Sequence, residues 1–151
     1  MELENRINDD IKQAMMARES RKLEALRAVK AALLLAKTSK DAVGGDLPEE
    51  AGLRLLQKLI KQRQESAELY KTGGREDLAE QELFQAGVIE HYLPKQLGEE
   101  DILAGLKKII QETGASGPKD MGRVMGMASK ELAGKADNKT VADLVKKLLG
   151  I

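Results

Sequence analysis

Nowhere in this sequence do β-branched residues alternate with polar ones over the length of a strand. What recurs is an apolar residue every three or four positions, the spacing that lines one face of a helix. Leu3, Ile7, Ile11 and Met15 do so first; Val141, Leu144, Val145 and Leu148 do so last. Lys, Glu, Ala, Leu and Arg dominate, and aromatic residues are confined to Tyr70, Phe84 and Tyr92. Such a composition favours helix almost everywhere. The expected fold class is all-α.

Glycine and proline punctuate the helices. The first is expected from about Leu3 to Arg18. The second starts at Ser20, read as an N-cap, with Leu23, Leu26, Val29 and Leu33 along one face. Thr38 to Leu47, with Gly44-Gly45, reads as a loop. Pro48 suits a first helical turn, and Glu49 and Glu50 complement the dipole of the helix it opens. Leu55, Leu56, Leu59 and Ile60 carry that third helix to about Tyr70, and Gly73-Gly74 breaks it. A fourth begins near Arg75, carries Leu78, Leu83, Ala86, Ile89 and Leu93, and stops at Pro94. Glu99-Glu100-Asp101 opens a fifth, striped by Ile102, Leu106, Ile109 and Ile110 and capped by Gly114. Ser116-Gly117-Pro118 opens a sixth, to about Leu132, and Asp137 or Asn138 caps the seventh.

The helices change character at Pro94. Before it they are long and laced with charge; after it they are short, with glycine-rich joints. The predicted organisation is an N-terminal helical bundle of about four helices, residues 1–93, and a small three-helix C-terminal tail domain, residues 95–151. The 25 basic and 25 acidic residues balance, so net charge selects no class of partner. From Lys107 onward there are 9 basic and 5 acidic residues, a local net of +4. The chain has no cysteine, which excludes disulfides, thiolate metal sites and cysteine nucleophiles and suits a reducing cytosol. The charged N-terminus does not resemble a signal peptide, and no apolar run approaches the roughly 20 residues of a membrane span. The expectation is a soluble cytoplasmic protein with no membrane partner.

Chemistry concentrates in Asp120-Met121-Gly122-Arg123-Val124-Met125-Gly126 and the Gly134-Lys135-Ala136-Asp137 that follows. Gly122 and Gly126, four apart on a helix, permit close approach by an RNA backbone or a partner helix. The commoner use of such a face is packing inside the domain, and that is the favoured reading. Met121 and Met125 share a stripe with Ala128 and Leu132 and are expected in the core. Lys119, Arg123, Lys130 and Lys135 are the candidate phosphate contacts, near Gly134 and the other glycine turns. Asp120, Glu131 and Asp137 dilute that field, and a solvated mixed-charge face is the plain alternative. With no aromatic platform, any RNA recognition would rest on shape and backbone.

No catalytic residue, cofactor or metal is assigned. His91, the lone histidine, has no obvious orienting partner and reads as an interface or capping residue. Asp9-Asp10, Glu49-Glu50 and Glu99-Glu100-Asp101 lack metal-ligand spacing. Lys58, Lys61 and Arg63 read as a solvated face, and Gly73-Gly74 lacks the lysine and hydroxyl residue of a phosphate loop.

Several segments carry a family resemblance. They are Ile11 to Met15, Leu26-Arg27 with Lys30-Ala31, Lys61-Gln62-Arg63, Tyr92-Leu93-Pro94 through Gln96-Leu97, and, most closely, the DMGRVMG and GKAD segments. Over nearly its whole length the chain resembles the YqeY-like family. That family shares its C-terminal region with the tail of one component of the aspartyl/glutamyl-tRNA amidotransferase. Gly98 departs from the serine-like cap expected there. The resemblance implies a helical bundle plus a three-helix tail. It also implies a tail that helps hold tRNA in the amidotransferase, where a separate domain performs the chemistry. A label of carbon–nitrogen ligase with glutamine as amide donor would follow from the resemblance alone, because the expectation is that this catalytic domain is absent here.

Three functions are carried forward. The first is a non-catalytic, tRNA-related binding protein whose C-terminal domain meets an RNA backbone through Lys119, Gly122, Arg123, Gly126, Lys130, Gly134 and Lys135. The second is a protein-interaction adaptor presenting an apolar groove of the N-terminal bundle to a protein partner or a second copy of the chain. The third is an amidotransferase-type enzyme.

Overall fold

The computed structural model describes residues 2–40 and 42–151; Met1, and Asp41 of the predicted 38–47 loop, lie outside them. Among the described residues the fold is all-helical. Its helices are α1 (Glu2–Met16), α2 (Ser20–Ala36), α3 (Glu49–Thr72), α4 (Glu76–Glu90), α5 (Glu99–Thr113), α6 (Met121–Glu131) and α7 (Asn138–Leu149), with a short 3-10 turn, Pro118–Asp120, before α6. The chain divides into two compact units, Met1–Leu93 and Pro94–Ile151.

In the first unit α1 packs on α2, and α3 packs chiefly on α4. Leu3, Ile7, Leu26, Val29, Leu33, Leu56 and Ile89 form its core. Small residues, Ala67 on α3 and Ala79 and Ala86 on α4, are also buried and let the helices approach closely. Two expected core residues lie elsewhere. Met15 is 53% exposed and Ala14 is buried in its place. A strict step of four advances about 40° per step round a helix of 3.6 residues per turn. By Met15 the Leu3–Ile7–Ile11 stripe has walked off the core, and the step of three to Ala14 restores it. Leu83 is 41% exposed because it sits at the edge of the α4 stripe, whose centre is taken by Ala79, Ala86 and Ile89.

The joints differ from expectation in detail. Glu19, not Ser20, holds the N-cap position of α2, and no side chain caps it. Arg18 has φ 57°, a left-handed conformation usually given to glycine. It closes α1 with the Glu19 N–H donating to the Ala14 carbonyl at 3.0 Å and the Arg18 N–H to the Met15 carbonyl at 3.3 Å. The loop before α3 folds back through paired backbone bonds between Val43 and Asp46, with Gly44 and Gly45 both at positive φ. Lys37 ties this region to α1 by ion pairs to Glu4 at 2.7 Å and Asp46 at 3.9 Å. Arg21 on α2 grips Glu80 on α4 with two bonds of 2.8 and 2.7 Å and lies 4.1 Å over the Phe84 ring. Arg63 is not solvated: its Nε donates to Gln85 Oε1 at 3.0 Å and its guanidinium to the Leu59 carbonyl.

At the end of α4, His91 takes the exposed C-cap position, and Tyr92 is buried. The Tyr92 hydroxyl donates to Asp10, and Arg6 lies 5.2 Å from the ring centroid. Burial, with the Asp10 carboxylate behind it, pushes the phenol well above its ordinary value.

The second unit packs α6 against α5 and α7. Its core is Ile102, Leu106, Ile109, Val124, Ala128, Val141, Leu144 and Val145. Val124, rather than Met121 or Met125, is the fully buried residue of the first α6 turns; the two methionines pack partly against the core. Gly98 and Gly114 flank α5, the second at φ 66°. Asp137 caps α7 by accepting from the Thr140 N–H.

Candidate nucleic-acid interface

The DMGRVMG segment spans the last residue of the 3-10 turn and the first half of α6. Asp120 organises it. Its carboxylate accepts from the Ser116 N–H at 2.9 Å and the Gly117 N–H at 3.4 Å, and pairs with Arg123 at 3.1 Å. These backbone donors, led by Ser116, hold the Asp120 carboxyl below the usual carboxylate range. Arg123 also donates to the Thr113 carbonyl at 3.2 Å, so its guanidinium locks the end of α5 to the start of α6.

Gly122 and Gly126 are exposed, and a Cβ at either would meet nothing within 4 Å. The packing reading favoured from the sequence is therefore corrected: these glycines admit no neighbouring helix of their own unit. At about 100° per residue, Gly122, Gly126, Lys130 and Arg123 fall within one arc of α6 of about 100°. The buried Val124 and Ala128 lie on the opposite side. Lys119, in the preceding 3-10 turn, is exposed too. Two bare stretches of helix backbone thus lie among cations and face away from the core.

The GKAD turn has a second job. Gly134 is buried, at φ 74°, and its carbonyl accepts from Gln96 Nε2 at 2.6 Å. The Lys135 carbonyl accepts from the Leu97 N–H at 2.9 Å, while the Lys135 side chain stays exposed. Two segments 38 residues apart in the chain, Gln96-Leu97 and Gly134-Lys135, are thereby stitched together. Gly134 therefore shapes the turn from inside, and of the seven assigned residues it alone is buried.

Among the described residues no group of three or more His, Cys, Asp or Glu is placed to hold a metal, and no helix is long and apolar enough to cross a membrane.

The motif residues thus sit in turns and at helix starts of a chain whose described residues form seven α-helices. The model of the Yqey-like protein family matches residues 4–149. The chain belongs to that family. Three fungal relatives are each named "Altered inheritance of mitochondria protein 41, mitochondrial". The protein of Pyrenophora tritici-repentis is 28% identical over 148 residues, covering 96% of this chain and 80% of its own length. That of Meyerozyma guilliermondii is 36% identical over 89 residues, 59% of this chain and 45% of the relative. That of Lachancea thermotolerans is 31% identical over 114 residues, 74% of this chain and 60% of the relative. The match thus spans less than two thirds of two of these relatives. The names overturn the cytoplasmic expectation, since the relatives of this Yqey-like chain are mitochondrial proteins by name. Balanced charge and a lack of cysteine do not distinguish one reducing compartment from another.

Proposed function

We propose that this Yqey-like protein is a non-catalytic, tRNA-related binding protein whose C-terminal unit receives an RNA backbone on the outer face of α6. One observation carries the reading: Gly122 and Gly126 are open to solvent on the same arc as Arg123 and Lys130. A glycine in an exposed helix interior, as Gly126 is, costs about 1 kcal/mol relative to alanine, and one in the first turn, as Gly122 is, costs less. Nothing within the unit offsets that cost at these two positions. A ligand that must come close to the helix backbone would offset it. Lys119, Lys130 and Lys135 supply the long-range attraction, and Arg123 adds charge from a position fixed by Asp120 and Thr113.

The test is fluorescence anisotropy of the full chain with labelled tRNA at low and physiological salt. Affinity should fall with salt as counterions are released. Reversing Lys119, Arg123, Lys130 and Lys135 to glutamate should remove most of it and flatten the salt dependence. Unchanged affinity in that variant would show the site assignment to be wrong.

A second reading, a protein-interaction adaptor, draws on different residues. The stripes of α1 to α4 are largely consumed by the core. Leu34, Leu35 and Val43, at the end of α2 and in the following loop, are instead 47%, 74% and 71% exposed. If this face binds a protein, Leu35→Glu should abolish the association and leave tRNA affinity unchanged.

A further inference from the structure

In the first unit, a recess of about 200 Å³ lies between the end of α2 and the first half of α3, lined by Ala36, Leu47, Ala51, Arg54, Leu55 and Lys58. We propose that it binds a small amphipathic anion, an acidic head group on a short apolar chain. The site uses no residue of α6 and the proposal does not depend on the RNA reading.

The division of its walls carries the inference. Ala36, Leu47, Ala51 and Leu55 are apolar, and Leu47 is only 3% exposed. Arg54 and Lys58 are four residues apart on α3, so they stand one turn from each other on one side of the helix. Arg54 is half-buried. Neither cation forms an ion pair with a described residue. The half-buried cations Lys37 and Arg63 behave differently: the first is paired with Glu4 and Asp46, the second engaged by Gln85 and the Leu59 carbonyl.

Half-buried Arg54 and exposed Lys58 repel each other mildly at this spacing, and an anion between them turns that repulsion into attraction. The planar guanidinium of Arg54 offers the parallel donors that match a carboxylate or phosphate, and the Lys58 ammonium adds a point charge. The apolar walls select a head group that carries a hydrocarbon tail over a bare ion. At roughly 30 Å³ per water displaced, the recess accommodates about seven or eight non-hydrogen atoms. That is close to the size of a six-carbon carboxylic acid, its carboxyl carbon included.

The experiment is amide-resolved NMR titration of the full chain with four probes: hexanoate, hexyl phosphate, 1-hexanol and acetate. Hexanoate or hexyl phosphate should give saturable shifts centred on residues 36, 47 and 51–58, and the tighter of the two identifies the head group. Hexanol, which lacks the charge, and acetate, which lacks the tail, should bind at least tenfold more weakly. The double variant Arg54→Gln, Lys58→Gln should lose at least tenfold in affinity for the better probe while keeping the helical circular dichroism of the parent. No saturable shift with either anion, shifts centred elsewhere, or equal binding of hexanol or acetate would overturn the proposal. So would parental affinity in the folded double variant. If that variant does not fold, the four-probe series on the parent chain decides alone.

Discussion

The two units solve the same problem with different materials. The first joins long helices through side chains that reach between elements: Arg21 to Glu80 and Phe84, Lys37 to Glu4, Arg63 to Gln85, and Tyr92 to Asp10. The second joins short helices through backbone groups at its turns: Gln96 to the Gly134 carbonyl, Leu97 to the Lys135 carbonyl, and Asp120 to the Ser116 and Gly117 amides. A long helix buries enough apolar area to set its own position, and polar contacts then adjust it. A unit of 94–151 buries a smaller share of its surface and depends more on its joints. This explains why those segments of family resemblance that lie in the second unit fall at its turns and helix starts. Most of them, Asp120, Arg123, Gly134 and Gln96 among them, hold the unit together. Gly122 and Gly126 are the exception, and the proposed function rests on them.

Core substitutions should separate the two units most sharply. Leu26→Ala in the first unit and Leu106→Ala in the second remove equally buried side chains, each worth about 2–5 kcal/mol. Hydrogen exchange on the full chain should show amides of 94–151 losing protection in Leu106→Ala. The larger first unit should keep its protection in Leu26→Ala. Equal loss in both would mean that the small unit has no special dependence on its joints.

The glycines come next. Gly122→Ala together with Gly126→Ala should stabilise the second unit by about 1 kcal/mol, most of it from the interior Gly126, since added methyl groups meet open space on a helix. The same pair should weaken tRNA binding severalfold. A gain in stability with unaltered binding would mean that close approach at this face is not needed.

The side-chain joint of the first unit is tested by Tyr92→Phe. It removes the bond to Asp10 and should cost about 1–2 kcal/mol in a denaturant titration. It should also alter the alkaline limb. The folded phenol titrates above the unfolded one, so its contribution is full below the unfolded value of about 10 and is lost as pH rises. The Phe variant should lack that loss.

Arg18→Gly relieves a left-handed residue and should raise thermal stability by about 0.5–1 kcal/mol, with the Schellman-type bonds of the α1 end retained. The smallest effect concerns acid. The Asp120 carboxyl titrates below its unfolded value, so its contribution is present above a pH of about 4 and is lost as pH falls through the depressed folded value. Asp120→Asn should make the second unit less sensitive to acid.

Much of the fold was legible in the sequence because helix period and punctuation are local. The Ile102, Leu106, Ile109 stripe, the left-handed Gly114 and the Asp137 cap stand where the spacing puts them. Where reading failed, the reason was a property that a stripe does not encode. Met15 fell off the core because small angular errors accumulate along a helix, and Leu83 did so because alanines took the centre of the face. Ser20 resembled a cap, but the left-handed Arg18 sets the α2 start one residue earlier. The candidate site was legible as a set of residue types and hidden as a division of labour. Nothing local shows that Gly134 faces inward while Gly122 and Gly126 face out, or that Arg54 and Lys58 stand beside an apolar recess.

That the chain is helical follows from its residues alone, because periodicity, propensity and turn chemistry act over a few positions and agree along most of its length. Which of two similar glycine motifs is structural and which is open was settled by packing. That choice depends on what the other helices cover, and coverage is a long-range property of the folded chain.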